Sequence, residues 1–240
     1  MFHGTYRFAE VTVQIDSLYP LIHDMSRDYS CGGSPDIIAA VTQADIDHER
    51  VRSSISGCSD AYLETLAVYR KIAEKMPAFD VLLYHASAVA VDGAAYLFAA
   101  PSGTGKSTHA RLWRELLGSR AVMVNDDKPL IRVQSDGTAI VYGTPWNGKH
   151  HLSSNIAVPI KAVCLLERSP DNHIRQISRW DALLILVQQA YRPAQPEAME
   201  KTLALICRMQ ADYYALGCNM DLSAAELAYS TMKKAGPAAE

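Results

Sequence analysis

An α/β fold is what this sequence predicts: a mixed, hairpin-rich sheet carrying a glycine loop, with a helical C-terminal part. Three observations predict it. "VLLYHASAVAVDGAAYLFAA" at residues 81–100 is two apolar segments joined by Asp92-Gly93, the dipeptide of a tight β-hairpin turn. "APSGTGKSTHARLW" at residues 100–113 follows an apolar segment of strand type. Beyond it Leu112, Trp113, Leu116 and Leu117 recur at helical spacing, giving the order strand, glycine loop, helix. After that helix come "RAVMVNDD", a second hairpin in "KPLIRVQSDGTAIVYGTPW" turning at Asp136-Gly137, and the buried strand "IKAVCLLE".

The elements follow in chain order. Tyr6, Phe8, Val11, Val13 and Ile15 alternate with a break at Ala9 and Glu10, which predicts one or two edge strands. Gly32-Gly33, Pro35 and several serines make residues 30–60 a looped connection, with a strand at Ile37 to Val41. Leu63, Leu66, Tyr69, Ile72, Ala73 and Met76 share one helical face behind a Ser59 or Asp60 cap, and Pro77 follows the last turn. The hairpin places the strand before the glycine loop antiparallel to its predecessor. The helix Lys106 to Leu117 ends at Gly118, and a parallel crossover through it puts "RAVMVNDD" in the same sheet. The C-terminal third reads as helices at Trp180 to Ala190, Glu197 to Gln210 and Ala224 to Lys233. Residues 1–79 are expected to pack on a core formed by 80–235, with 236–240 as a tail and "AGPAAE" disordered.

Bulk properties narrow the function. In 240 residues, 49% hydrophobic and 20% charged content describes an ordinary soluble globular chain. Net charge is −3 and the 23 basic residues are scattered, so no nucleic acid is expected as a macromolecular partner. No apolar run reaches spanning length and "MFHGTYRFAE" has no signal-peptide character, which predicts a cytoplasmic protein without membrane contact. The five cysteines are odd in number and never in C-x-x-C spacing, so neither disulfides nor a zinc site is expected, and most should be buried.

The loop carries the chemistry. Gly103 and Gly105 let the backbone curl with its N–H groups inward, so that residues 102–108 (Ser102, Gly103, Thr104, Gly105, Lys106, Ser107, Thr108) surround an anion at the positive end of a helix. Lys106 then reaches outer phosphates and the Ser107 hydroxyl binds magnesium. Ala100 stands where the best-known form of this P-loop motif begins with glycine. Asp126 and Asp127 end the strand after the loop's helix, at the sheet edge where ligands gather. One can take a proton from an attacking hydroxyl and the other can hold magnesium. In "GTPWNGKHHLSSN", Lys149 could neutralise the moving phosphoryl group and Trp146 could wall an acceptor pocket; a polar loop anchored by one tryptophan is the plainer alternative. His150 and His151 lack a third ligand at useful spacing, Arg192 reads as solvent-facing, and His109 as a capping or packing residue.

"HASAVAVDGAAYLFAAPSGTGKSTHARLW", "VMVNDDKPL" and "YGTPWNGKHHL" together resemble the HPr kinase/phosphorylase-related group, whose nucleotide-binding core is similar to that of phosphoenolpyruvate carboxykinases. The resemblance covers about residues 80–170, and residues 1–79 have no counterpart in the N-terminal domain of those kinases. Shikimate and nucleoside-monophosphate kinases also place acids after the loop's helix, but they continue into helix where this chain returns as a hairpin. The resemblance implies that His85 lies near the transferred phosphate, that Asp126 activates the acceptor and that Asp127 lies near the metal. It further implies ATP and magnesium as cofactors and transfer of the terminal phosphoryl group to a hydroxyl, either a serine of a small protein or peptide or a small metabolite. It is compatible with a homo-oligomer. The alternative is a regulatory module that binds or hydrolyses ATP and has no phosphoryl acceptor.

Overall fold

The alternation at the N-terminus folds as β1 (Phe2–Phe8) and β2 (Val11–Ser17), an antiparallel hairpin with Phe8 opposite Val11. Its two turn residues, Ala9 and Glu10, both hold positive φ, 49° and 63°. That hand of turn matches the twist of paired strands. In the computed structural model, which describes residues 1–52 and 57–234, β3 (Ile37–Ala40) adds parallel to β2. These strands form their own three-stranded sheet, order β1-β2-β3, so β1 is an edge strand and β2 a central one.

The region read as a loop contains two helices, α1 (Leu21–Met25) and α2 (Gln43–Arg52). The reason α2 left no periodic trace is that it buries only Ile46 and Glu49, and Glu49 is held by two 2.6 Å hydrogen bonds from Arg70. Asp45 and Arg50 also pair with Lys71 and Asp60 of the following helix, and a helix docked mainly by ion pairs shows no apolar stripe. Residues 53–56 of the expected connection and the "AGPAAE" tail lie outside the described residues. The predicted helix forms as α3 (Asp60–Lys75): Ser59 caps it by accepting the Tyr62 amide, and Leu63, Val68, Ile72 and Ala73 are buried. Its buried Glu64 accepts the Tyr19 amide at 2.9 Å, tying α3 to the end of β2.

The second sheet has nine strands: β4 (Val81–Leu83), β5 (Ala86–Val91), β6 (Ala94–Ala99), β7 (Ala121–Asn125), β8 (Leu130–Val133), β9 (Ala139–Tyr142), β10 (Ala157–Arg168), β11 (His173–Ile177) and β12 (Asp212–Cys218). They run in the order β4-β8-β9-β10-β6-β5-β7, with β12 also paired to β10 and β11 to β12. Both expected hairpins form, β5–β6 turning at Asp92-Gly93 with φ of 51° and 82°, and β8–β9 turning through Gly137. The helix after the glycine loop, α4 (Lys106–Leu117), has its expected bounds. Its crossover leads to β7 in the same sheet, but β5 lies between β6 and β7, antiparallel to each, so the two parallel strands are not neighbours.

In the C-terminal third, α5 (Arg179–Gln189), α6 (Pro196–Arg208) and α7 (Leu222–Met232) match the predicted helices within a few residues. The expectation of a mostly helical C-terminal third is corrected by β11 and β12. "DYYALGC" is too short and apolar to separate strand from helix by period; its pairing with β10 decides. Helices cover both faces of the sheet. Leu97, Val163, Leu186 and Ile206 meet on one face, and Phe98, Trp113, Cys164 and Ala225 on the other. The N-terminal sheet and α3 share a further core with Val81, Leu83, Leu130 and Trp146. Cys164 alone among the cysteines is buried, Cys207 being exposed and the rest half-buried, because those others lie at element ends and in loops.

Candidate functional site

The glycine loop leaves the end of β6 and enters α4. Gly103 and Gly105 hold φ of 80° and 125°, and a Cβ on either would meet nothing within 4 Å. They are needed for backbone conformation, not for lack of room. Ala100 is buried and has no such φ, which is why alanine serves where the motif usually starts with glycine. Lys106 is buried, and its ammonium donates to the Ala100 carbonyl at 2.9 Å, folding back over the loop. Burial lowers its pKa, while the nearby Asp127 and Asp126 push the other way. Ser102 and Gly103 are exposed; Thr104, Ser107 and Thr108 are half-buried. Arg168, at the end of β10, donates to the carbonyls of Gly103 and Thr104 and so ties the loop to that strand.

The aspartates are presented by an irregularity. Ala88 pairs with Asn125 and Val89 with Met123, leaving Val124 as an extra residue, a bulge that re-aims the end of β7. Asn125, wholly buried, then organises the turn. Its Oδ1 accepts the amides of Asp127 and Lys128 at 2.9 and 2.7 Å, and its Nδ2 donates to the backbone oxygen and hydroxyl of Thr144 at 3.1 and 3.0 Å. Asp126 is 7% exposed, and its Oδ1 accepts the Ser87 hydroxyl at 2.6 Å. Asp127 is more open, with His85 Nε2 at 3.5 Å and Lys128 Nζ at 3.3 Å. Burial lowers the His85 pKa, Lys106 and Lys128 act in the same direction, and Asp127 opposes them. The imidazole is therefore neutral at neutral pH.

The segment after β9 reaches the same place. Gly148 holds φ of 68°, and a Cβ there would lie 3.1 Å from Cβ of Asp127, so the short turn Gly148–His150 packs directly on that aspartate. Lys149 is exposed on this turn. Trp146 does not wall an acceptor pocket: its indole donates to the Thr65 carbonyl at 3.0 Å and packs between Phe8 and Tyr69, because the N-terminal sheet supplies an aromatic core that captures it. His109 packs, as read from sequence; it accepts the Trp113 indole N–H at 3.1 Å, and burial drives its pKa down to about 4. Arg192 is exposed.

Beside the loop opens a cavity of about 490 Å³, lined by Thr104, His109, Leu166, Arg168, Cys218 and Met220 among others. The hydroxyl of Ser107 and the carboxylates of Asp126 and Asp127 are hard oxygen donors, a set suited to magnesium. Sequence reasoning missed Ser87, Asn125, Arg168 and Gly148. Ser87 carried a signal: it stands two residues from His85 on an extended segment, so the two share a face.

Fold and site define a mixed α/β protein with a strand–glycine loop–helix unit facing a pair of aspartates. The chain belongs to the ScmC family: the family model described as SynChlorMet cassette protein ScmC matches residues 59–221. No curated protein matches the sequence. Among solved structures, the Hpr(Ser) kinase/phosphatase from Coxiella burnetii is similar at a TM-score of 0.40 and 12% identity, over 63% of this chain and 97% of that one.

Proposed function

We propose that the protein is an ATP-dependent, magnesium-assisted phosphotransferase acting on a hydroxyl acceptor, a serine of a small protein or peptide or a small metabolite. The observation that carries this reading is one of placement: the glycine loop leaves the end of β6 and the aspartates leave the end of β7, two strands that run the same way on either side of β5, so an anion-binding loop, a proton acceptor and a metal ligand share one end of the sheet. Amides of residues 102–107, the positive end of α4 and Lys106 hold the phosphate tail, Lys106 exchanging its Ala100 carbonyl for a phosphate oxygen. The nucleoside occupies the cavity beside Thr104 and His109. Ser107 and Asp127 are the residues that would hold magnesium, which, when bound, neutralises charge on the outer phosphates.

Asp126 is the base. The acceptor hydroxyl gives its proton to the free carboxylate oxygen, the acceptor oxygen bonds to the terminal phosphorus, and the bond to the bridging oxygen breaks with its electron pair leaving on ADP. Neutral His85 donates to the moving phosphoryl group and Lys149, from its exposed turn, offsets its charge. Residues 1–79 form a unit packed on the 80–235 core, and the protein acts in the cytoplasm without nucleic acid or membrane, as a monomer or homo-oligomer. Among the described residues no helix is long and apolar enough to cross a membrane.

The test compares ADP release from Mg·ATP with and without hydroxyl acceptors. Acceptor-dependent release supports transfer; equal release points to the regulatory ATPase instead. Asp126→Asn is expected to cut transfer to a small residual rate while Mg·ATP still binds, and Asp127→Asn to weaken magnesium dependence first. Strong residual transfer by Asp126→Asn overturns the assignment of the base.

A further inference from the structure

Ser87 lies on β5, wholly buried, in a segment of alanines and valines where an apolar side chain would be the ordinary occupant. Its hydroxyl makes one hydrogen bond among the described residues, to Oδ1 of Asp126 at 2.6 Å. A carboxylate on a turn can rotate about χ2, and without this bond nothing from the sheet restrains it. The bulge at Val124 and the Asn125 turn set the backbone of Asp126, and the Asp126 amide is fixed to the Leu152 carbonyl at 3.1 Å, but both act on the main chain only. Among the described residues Ser87 is the one group that grips the carboxylate itself. With Oδ1 engaged, Oδ2 makes no hydrogen bond among the described residues and is the oxygen left for a substrate.

We propose that Ser87 is a positioning residue: its hydroxyl locks the Asp126 carboxylate in one rotation, so that a single oxygen faces the acceptor. The inference rests on the reading of Asp126 as the base. Ser87 touches no substrate and acts only through Asp126. Displacing a reacting group by about 1 Å costs about 100-fold in rate, and a freely rotating carboxylate samples displacements of that order.

The experiment measures turnover of Mg·ATP to ADP, with Mg·ATP affinity by calorimetry, for wild type, Ser87→Ala, Ser87→Thr, Asp126→Asn and Ser87→Ala/Asp126→Asn. Ser87→Ala is expected to lower kcat about 10- to 100-fold, with KM and nucleotide affinity within about twofold. Ser87→Thr, which keeps the hydroxyl, restores most of kcat; if the added methyl disturbs folding, the double-mutant comparison carries the test alone. In that comparison Ser87→Ala causes no further loss once Asp126 is asparagine. A full additional loss in the Asn background, or a Ser87→Ala enzyme with wild-type kcat, overturns the positioning role while leaving the proposed reaction standing. A wild-type protein that fails to bind or turn over Mg·ATP overturns the reaction itself, and this inference with it.

Discussion

The glycine loop and the aspartate turn sit at the same edge of one sheet and are built in opposite ways. Residues 100–106 take their shape from within: two glycines at positive φ, a helix start and a lysine bonded to its own loop, with Arg168 the main outside support. The turn at residues 125–128 takes its shape from afar. Ser87, Thr144 and Gly148, from three other segments, hold or contact it. A loop made of local conformation can be read from a few letters; a turn made of long-range hydrogen bonds cannot.

Substitutions can break that contrast. The largest effect is expected from Lys106→Met, which removes the one charge the loop itself carries: under the proposed reaction, turnover of Mg·ATP should fall about 1,000-fold, with melting temperature little changed. A fall below tenfold removes Lys106 from the machinery.

Next comes acidity. His109 is neutral in the fold, its pKa driven by burial from the ordinary 6.5 to about 4. As pH falls, the unfolded chain binds that proton first, so stability is complete above about pH 6.5 and is lost progressively toward pH 4, about 3 kcal/mol at the limit. Thermal melts between pH 7 and 4.5 should show the decline, and His109→Gln should flatten it. An unchanged slope in the variant shows that other groups govern acid stability.

Asn125→Ala leaves the Asp127 and Lys128 amides without their acceptor and is expected to cost about 2 kcal/mol in urea unfolding, together with turnover. Loss of stability alone would mean that the turn keeps its shape without Asn125. The smallest effect is expected from Gly148→Ala: a φ of 68° and a 3.1 Å approach to Asp127 predict about 1 kcal/mol, with turnover reduced more than stability because the strain falls on that aspartate.

Much of the fold was legible where the signal is local. Asp92-Gly93 marks a hairpin because few residues accept positive φ, and Ser59 starts α3 because its side chain caps an amide. What escaped was held by partners elsewhere in the chain: α2 by its ion pairs to α3, Glu49–Arg70 among them, β12 by β10, and β11 by β12. Trp146 is instructive, since its neighbours in sequence suggested a pocket wall, whereas Phe8, Thr65 and Tyr69 claim it for the core.

Sequence by itself determined the glycine loop, its strand and helix, the two hairpins and the presence of an acidic pair near the loop, because each depends on backbone preferences that act over a few residues. Only the tertiary structure decided that β5 separates β6 from β7, and that Ser87 holds one oxygen of Asp126 while His85, Lys128 and Gly148 gather round Asp127. Those arrangements arise from strand order and a single bulge, which bring Ser87 and His85 to aspartates about 40 positions away in the chain, an encounter that no local pattern encodes.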